Sequence, residues 1–294
     1  MMALGFKALR VKRRDCMIKV IALDLDGTLL TDDKKVTPEN KKAIQLAKEQ
    51  GVKIVLCTGR PLMSIYHLLE ELELLGDDDF SINYNGGIIQ KTKSQEILFK
   101  QGHSRDDMQY CYEEAYKVGL PLVMIDLERA YETTYPEGRP SIYPGLPHPI
   151  EFITKNPSEF EESHVFYKAV LCIEESLLDE GIRQLPEAFF EKFNCMKSRT
   201  FLLEVVPKEV SKGTGLTHLA EILGITVEEI AACGDEENDL SMLTTVGFPV
   251  AMGNGSPEVK EVAKFITKTN EESGVAHAIY HILEQNKRER EGVK

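Results

Sequence analysis

The chain alternates short apolar runs with longer amphipathic stretches, and the apolar runs end in polar clusters. Ile18–Leu23 is apolar apart from Lys19 and rich in β-branched residues, the composition of a strand covered on both faces in a parallel sheet. Thr37-Pro38 predicts a helix start, a capping threonine followed by proline at the first helical position. Ala43, Ile44, Leu46 and Ala47 supply its apolar face, and Gly51 ends it. Val52–Cys57 predicts a second buried strand. A strand, helix and strand of this length close as a right-handed crossover with the strands parallel. A helix through Ile65, Leu68, Leu69 and Leu72 and a third strand, Phe80–Asn83, continue the pattern.

Residues 88–206 read differently. They predict a hairpin (Ile88–Phe99), a helix capped by Ser104 with Asp107 three residues on, and a tyrosine- and proline-rich stretch at Tyr131–Pro149. Strands follow at Tyr167–Ile173, Asn194–Ser198 and Phe201–Val206, with a helix near Leu177–Arg183. This mixture predicts an α+β insert built on an antiparallel sheet. From Pro207 the parallel pattern returns. Val210-Ser211-Lys212-Gly213 opens a helix closed by Gly224, Thr226–Glu229 fits a capping box, and Ile230–Cys233 is a buried strand. Phe248–Met252 and Phe265–Thr267 are further strands, Gly274–Leu283 a closing helix, and the charged tail from Gln285 is expected to fray. The predicted fold class is α/β: a Rossmann-like parallel-sheet core from residues 17–87 and 207–294, with residues 88–206 inserted as an α+β cap domain.

Composition narrows the partners. Hydrophobic content of 42% and charged content of 28% are ordinary for a globular chain, while a net charge of −13 disfavours nucleic acid or an anionic membrane as partner. An anionic substrate would need local cations or a metal. The six cysteines (16, 57, 111, 172, 195, 233) are scattered without a C-x-x-C pair, which argues for a reducing, cytoplasmic setting and against a zinc site. No run of eighteen apolar residues suggests a membrane span. Residues 1–16 are basic and lack an apolar segment after their charges; they are read as a disordered extension or an upstream start, with a basic contact arm as the alternative. Oligomeric state is not readable.

The chemistry collects where strands end. In open α/β sheets ligands sit beyond the carboxyl ends of the strands. There Asp24-Leu25-Asp26-Gly27-Thr28 sets two carboxylates over a crevice, with Gly27 turning the chain, although Asp and Gly are also ordinary turn residues. Thr58 ends the second strand, as ligand or as helix cap. Asn85 follows the third, to bond a ligand or to shape the turn. Asp235 and Asp239 are four apart after Ile230–Cys233, and share a face if a helix begins there. Lys212 stands at a helix start, as phosphate ligand or solvated lysine; Asp239 could equally be a helix-start charge. Clustered carboxylates repel unless a cation is present, and hard oxygens with open positions suit Mg²⁺, which accepts phosphate oxygens as further ligands. A lysine and a threonine hydroxyl can hold the remaining phosphate oxygens, an aspartate can attack phosphorus, and a second carboxylic acid can protonate the leaving alcohol and then activate water.

DLDGT at 24–28, Thr58, Lys212 and GDEEND at 234–239 resemble the four ordered motifs of haloacid-dehalogenase-like (HAD) phosphatases. CTGRP at 57–61, NYNGG at 83–87 and VSKGTGL at 210–216 extend the resemblance to about residues 17–286, and the insert is similar to the cap of the Cof-type branch. The resemblance implies a HAD-like core and an Mg²⁺-dependent phosphatase acting on small phosphorylated metabolites, sugar phosphates among them, through an aspartyl-phosphate. It implies Asp24 as nucleophile and Asp26 as general acid/base. Mg²⁺ would be held by the Asp24 side chain, the Asp26 carbonyl and Asp235. Phosphate would be held by the Leu25 amide, Thr58, Gly59, Lys212 and Asn238, with Asp239 supporting metal or lysine. Asn85 is a candidate substrate contact, as are Tyr131, Tyr135, Tyr143, Arg139 and His148 of the insert. The alternatives are a phosphomutase of the same fold and a non-enzymatic metabolite-binding regulator. A dehalogenase has no use for a second acid at position 26, and a P-type ATPase needs membrane helices.

Overall fold

The computed structural model describes residues 17–146 and 150–292. Its larger sheet has eight strands, in the order 265–266, 248–251, 230–234, 20–23, 53–57, 80–83, 88–91 and 97–100. The first six run parallel, and the last two pair antiparallel with their neighbours. Successive side chains leave a strand on opposite faces, and the central strands divide accordingly. Ile21, Leu23, Ile54, Leu56, Ala231 and Cys233 pack under helices 38–49, 62–71 and 274–290. Val20, Ala22, Val55, Cys57, Ile230 and Ala232 pack on the other face, with helices 212–223, 240–245 and 257–262. This is the α/β core read from the apolar runs.

Local signals act as anticipated at several ends. Thr37 caps helix 38–49 by accepting from the Asn40 amide at 3.2 Å, and Ser104 and Asp107 form a capping box. Two expectations are corrected. The Ile88–Phe99 hairpin, assigned to the insert, extends the core sheet instead. The turn after Asn83 reverses the chain within the plane of the sheet, so that Asn83–Phe80 pairs with Ile88–Lys91. Ile89 then joins the core cluster, and Phe99 stacks on His218 of helix 212–223 at 4.1 Å. The closing helix also does not fray at Gln285 but continues to Arg290. Asn286 is buried and exchanges two 2.8 Å hydrogen bonds with the Ile18 backbone, which ties the last turns to the first strand. Lys287, Arg288 and Arg290 complement the negative helix end. The readings of residues 1–16 and His148 lie outside the described residues.

The insert carries a six-stranded sheet, in the order 193–199, 202–207, 168–172, 122–125, 129–132 and 151–154, antiparallel except for the last pair. Periodicity missed its strands at 122–125, 129–132 and 151–154, which are short and set among tyrosines and prolines. Helices 105–117, 175–184 and 187–192 cover one face through Leu122, Met124, Leu171 and Val205. The other face packs Val123, Ile125, Val170 and Leu202 against Tyr84 and Ile88 of the core. That face overlies the carboxyl ends of the parallel strands. Among the described residues, no helix is long and apolar enough to cross a membrane.

Candidate active site

Three parallel strands bring their ends together. Asp24 follows the central strand, Asp235 the neighbouring 230–234 strand, and Thr58 the 53–57 strand on the other side. Asp24, Asp235 and Asp239 are all buried, and each offers a carboxylate oxygen within 4.8 Å of the others. Asp239 arrives by a different route from the one its spacing suggests. Residues 237–239 form a single 3₁₀ turn, and the helix begins only at Leu240. Within that turn Asp239 accepts hydrogen bonds from the Asp235 and Glu236 amides at 2.9 and 3.2 Å.

Lys212 is the centre of the cluster. Ser211 caps its helix, so the lysine stands at the first helical position with its side chain wholly buried. A cation is unfavourable at a helix N-terminus; two carboxylates offset this. The Nζ donates to Asp24 Oδ1 and Asp239 Oδ1, both at 2.6 Å. Burial works against the lysine's charge, but Asp239 and Asp24 outweigh it and hold its pKa well above the ordinary value. One lysine does not balance three carboxylates. Burial and the Asp239 charge push Asp24 up to about 7 against the pull of Lys212, and burial and Asp24 push Asp235 up to about 8. Excess negative charge among buried hard oxygens is the situation a divalent cation relieves, so the donor set fits Mg²⁺.

Thr28 donates to Asp235 Oδ1 at 2.7 Å and fixes that carboxylate. Gly27 is required for the same approach: its φ is +79°, and a Cβ there would lie 2.1 Å from Asp235 Oδ2. Leu25 is buried, and its backbone bonds the Asp24 carboxylate. Thr58 Oγ1 accepts from the Arg60 amide at 3.2 Å, so its turn-shaping role is realised at the end of strand 53–57.

Asp26 stands apart. Arg60 donates to both of its oxygens at 2.7 and 2.6 Å, and Lys34 to one at 2.8 Å. Burial raises its pKa, but the Arg60 and Lys34 cations outweigh it and hold the carboxyl below its ordinary value. Residue types alone did not reveal this clamp; Arg60 lay inside the CTGRP motif without a role. Asn238 is half-buried and lines a cavity of about 250 Å³ with Ser211, Asn194, Met196 and Lys197.

Asn85 is buried with a left-handed backbone (φ +56°), as is the preceding Tyr84 (φ +51°), a strain that clusters at sites. Its Nδ2 donates to Glu204 of the insert at 2.5 Å. Glu204 is paired with Lys168 at 2.9 Å, and Lys168 donates to the Gly59 carbonyl at 3.1 Å. Burial opposes both charges, yet each holds the other ionised: Glu204 below its ordinary pKa, Lys168 above. Sequence reasoning passed over both, though a lone charge in an apolar strand was a usable signal. Of the proposed insert contacts, Tyr131 belongs to the helix-covered face and donates to Asp126 at 2.8 Å, and Arg139 reaches the Gly119 carbonyl on an outer surface. Tyr135 bonds Glu132, while Tyr143 lies in the cluster on the core-facing side.

A family profile described as haloacid dehalogenase-like hydrolase matches residues 21–279. The chain belongs to this family. A Streptococcus pyogenes serotype M6 protein, M6_Spy0533, named provisionally as a phosphatase, is 40% identical over 262 residues, which cover 89% of this chain and 97% of the relative. The Bacillus subtilis 5-amino-6-(5-phospho-D-ribitylamino)uracil phosphatase YcsE is 33% identical over 272 residues, covering 92% and 98%. The crystal structure of a haloacid dehalogenase-like hydrolase from Bacteroides thetaiotaomicron superimposes with a TM-score of 0.77 at 32% identity, over 90% of this chain and 99% of that one. The HAD-like fold with its insert, and membership among the family's phosphoric monoester hydrolases, follow from these likenesses.

Proposed function

We propose that this phosphatase hydrolyses phosphomonoesters of small polyhydroxylated metabolites through an aspartyl-phosphate on Asp24, with Mg²⁺ as cofactor. The observation that carries the reading is Lys212, wholly buried between Asp24 and Asp239, with Asp235 beside them at the carboxyl ends of parallel strands. Mg²⁺ would be held by the Asp24 side chain, the Asp26 carbonyl and Asp235, and when bound it offsets the charge of carboxylates and phosphate together. Asp239 spends one oxygen on Lys212 and the other on two amides, which makes it a support for the lysine rather than a ligand.

Asp24 attacks phosphorus, forming the acyl phosphate as the bond to the leaving oxygen breaks. Lys212, the Leu25 amide, the Thr58-Gly59 turn and Asn238 hold the phosphate oxygens. Asp26 delivers a proton to the leaving alkoxide and then takes one from the water that opens the acyl phosphate. Protonating the alcohol requires Asp26 to part from Arg60 and Lys34, which keep it charged; as a carboxylate it is already competent as the base. The leaving group is inferred from the YcsE relative, whose named substrate carries its phosphate on a ribityl chain.

The test is phosphate release from a panel of phosphorylated sugars, polyols and an aryl phosphate, combined with acid trapping of a hydroxylamine-sensitive phosphoenzyme. Trapping is expected in the natural chain and abolished in Asp24→Asn. A phosphoenzyme formed normally by that variant would place the nucleophile elsewhere.

A further inference from the structure

The core-facing surface of the insert's sheet carries two ionised side chains almost out of contact with water. Lys168 and Glu204 are 5% and 7% exposed and lie on neighbouring antiparallel strands. Their neighbours on this face, Val170, Cys172 and Leu202, are apolar. Burying an ion pair in such a setting is costly compared with apolar packing unless further hydrogen bonds satisfy it. Here those bonds run to two turns at the ends of core strands. Lys168 Nζ donates to the Gly59 carbonyl at 3.1 Å, and Glu204 Oε2 accepts from Asn85 Nδ2 at 2.5 Å. Ser198 donates to Glu204 Oε1 at 3.1 Å, alongside the lysine. Both carboxylate oxygens are thus engaged by protein, and each of these bonds ties the pair to a neighbouring strand or turn.

The two turns are themselves interlocked. The Asn85 amide donates to the Thr58 carbonyl at 3.1 Å, and a Cβ on Gly59 would lie 2.8 Å from Asn85 Oδ1 and 3.0 Å from Glu204 Oε2. Among the described residues, the hydrogen bond to the Gly59 carbonyl comes from Lys168 of the insert. We infer that Lys168 and Glu204 are positioning residues through which the insert locks the Thr58-Gly59 and Asn85 turns in the orientation that binds phosphate. The phosphate end of the site is completed by the insert, whatever the leaving group.

The inference rests on the phosphatase reading, and its test separates the two. Lys168→Met, Lys168→Arg and the charge-free double variant Lys168→Met/Glu204→Gln are compared with the natural full-length chain. Amide hydrogen exchange is followed in peptides spanning residues 58–60 and 84–86. Kinetics are measured on p-nitrophenyl phosphate and glucose 6-phosphate, with inorganic phosphate as inhibitor. The double variant leaves neither partner of the pair as a stranded charge, so it is expected to keep the fold. Its exchange is expected to rise at both turns. Loss of a hydrogen bond to a charged group predicts a fall in kcat/KM of about 10- to 100-fold, the same on both substrates, with phosphate inhibition weakened in proportion. Lys168→Arg, which keeps the cation and its donors, should retain most of both. Unchanged exchange in the double variant overturns the inference. So does a loss confined to glucose 6-phosphate, which would make the pair a leaving-group contact. A natural chain that releases phosphate from no ester overturns the phosphatase reading instead, while exchange still reports on the anchor.

Discussion

Replacing Lys212 by Met keeps an unbranched side chain one atom shorter and removes its charge, leaving Asp24 and Asp239 facing each other in a site that is 7% and 0% exposed at those residues. Breaking a buried ion pair from one side costs about 3–5 kcal/mol, because the remaining charge is stranded. At about 2 °C per kcal/mol, the lower end for long chains, Tm should fall by roughly 6–10 °C at pH 8 in EDTA. The loss should shrink at pH 5.5, and the sign follows from Asp24. Its folded pKa is raised from 3.8 to about 7 even with the lysine present. A carboxyl raised in the folded state favours folding below its unfolded pKa, and that advantage is lost as pH rises through the folded value. Without Lys212 the stranded carboxylates escape the penalty by protonating, which is easy at pH 5.5 and costly at pH 8. Thermal unfolding followed by circular dichroism at the two pH values measures the difference. A deficit under about 2 °C at pH 8, or one equal at both pH values, would refute the account of Lys212 as the charge that holds the carboxylates together.

Asp24→Asn should abolish phosphate release and phosphoenzyme trapping while raising metal-free Tm at pH 8, since the amide removes a buried charge; an unchanged Tm would contradict the excess-charge argument. Asp26→Asn should lower kcat/KM, which reports transfer of the phosphoryl group to Asp24, by about 10²–10⁴-fold on alkyl phosphates and by less on aryl phosphates, because aryl leaving groups scarcely need a proton; equal losses in kcat/KM would remove Asp26 as general acid. Activity should vanish with EDTA and return with Mg²⁺ but poorly with Ca²⁺, which prefers more ligands at longer distances; full activity in chelator would sink the metal assignment. Asp24 and Asp235, raised to about 7 and 8, make the metal-free chain lose stability as pH rises through those values. Mg²⁺ should therefore raise Tm more at pH 8 than at pH 5.5, and equal increments at both would count against it.

How much could be read without coordinates depended on how locally each feature is determined. The strand-end motifs were legible because buried apolar runs and helix caps act over a few residues, and a parallel sheet then collects the strand ends by topology alone. Asp24, Thr58 and Asp235 converge for that reason, and Lys212 reaches Asp24 from the start of helix 212–223. The Ile88–Phe99 hairpin was legible as a hairpin but not as part of the core, because nothing local specifies which sheet an antiparallel pair will join. Its membership is decided by Asn83 pairing with Ile88 across a turn with two left-handed non-glycine residues. Likewise Asn286, 268 residues from Ile18, extends the last helix by a contact no window contains.

The clamp on Asp26 and the anchor on Gly59 show the same limit where it bears on chemistry. Arg60 and Lys34 were visible as charges, yet only the folded chain sets both against one carboxylate at 2.6–2.8 Å. A general acid needs a proton at working pH, and the two cations oppose that. Under the proposed mechanism the arrangement would suit the second half-reaction, activation of water, and would have to change for the first. An incoming dianionic phosphate and its hydroxylated leaving group would compete with Asp26 for Arg60 and Lys34. The competition would free Asp26 from its cations as the ester arrives. Lys34, Arg60, Lys168 and Lys212 are each paired with Asp26, Glu204 or the Asp24 and Asp239 carboxylates, so under the proposed function an anionic ester approaching a chain of net charge −13 would depend on the divalent cation to offset the remaining carboxylates.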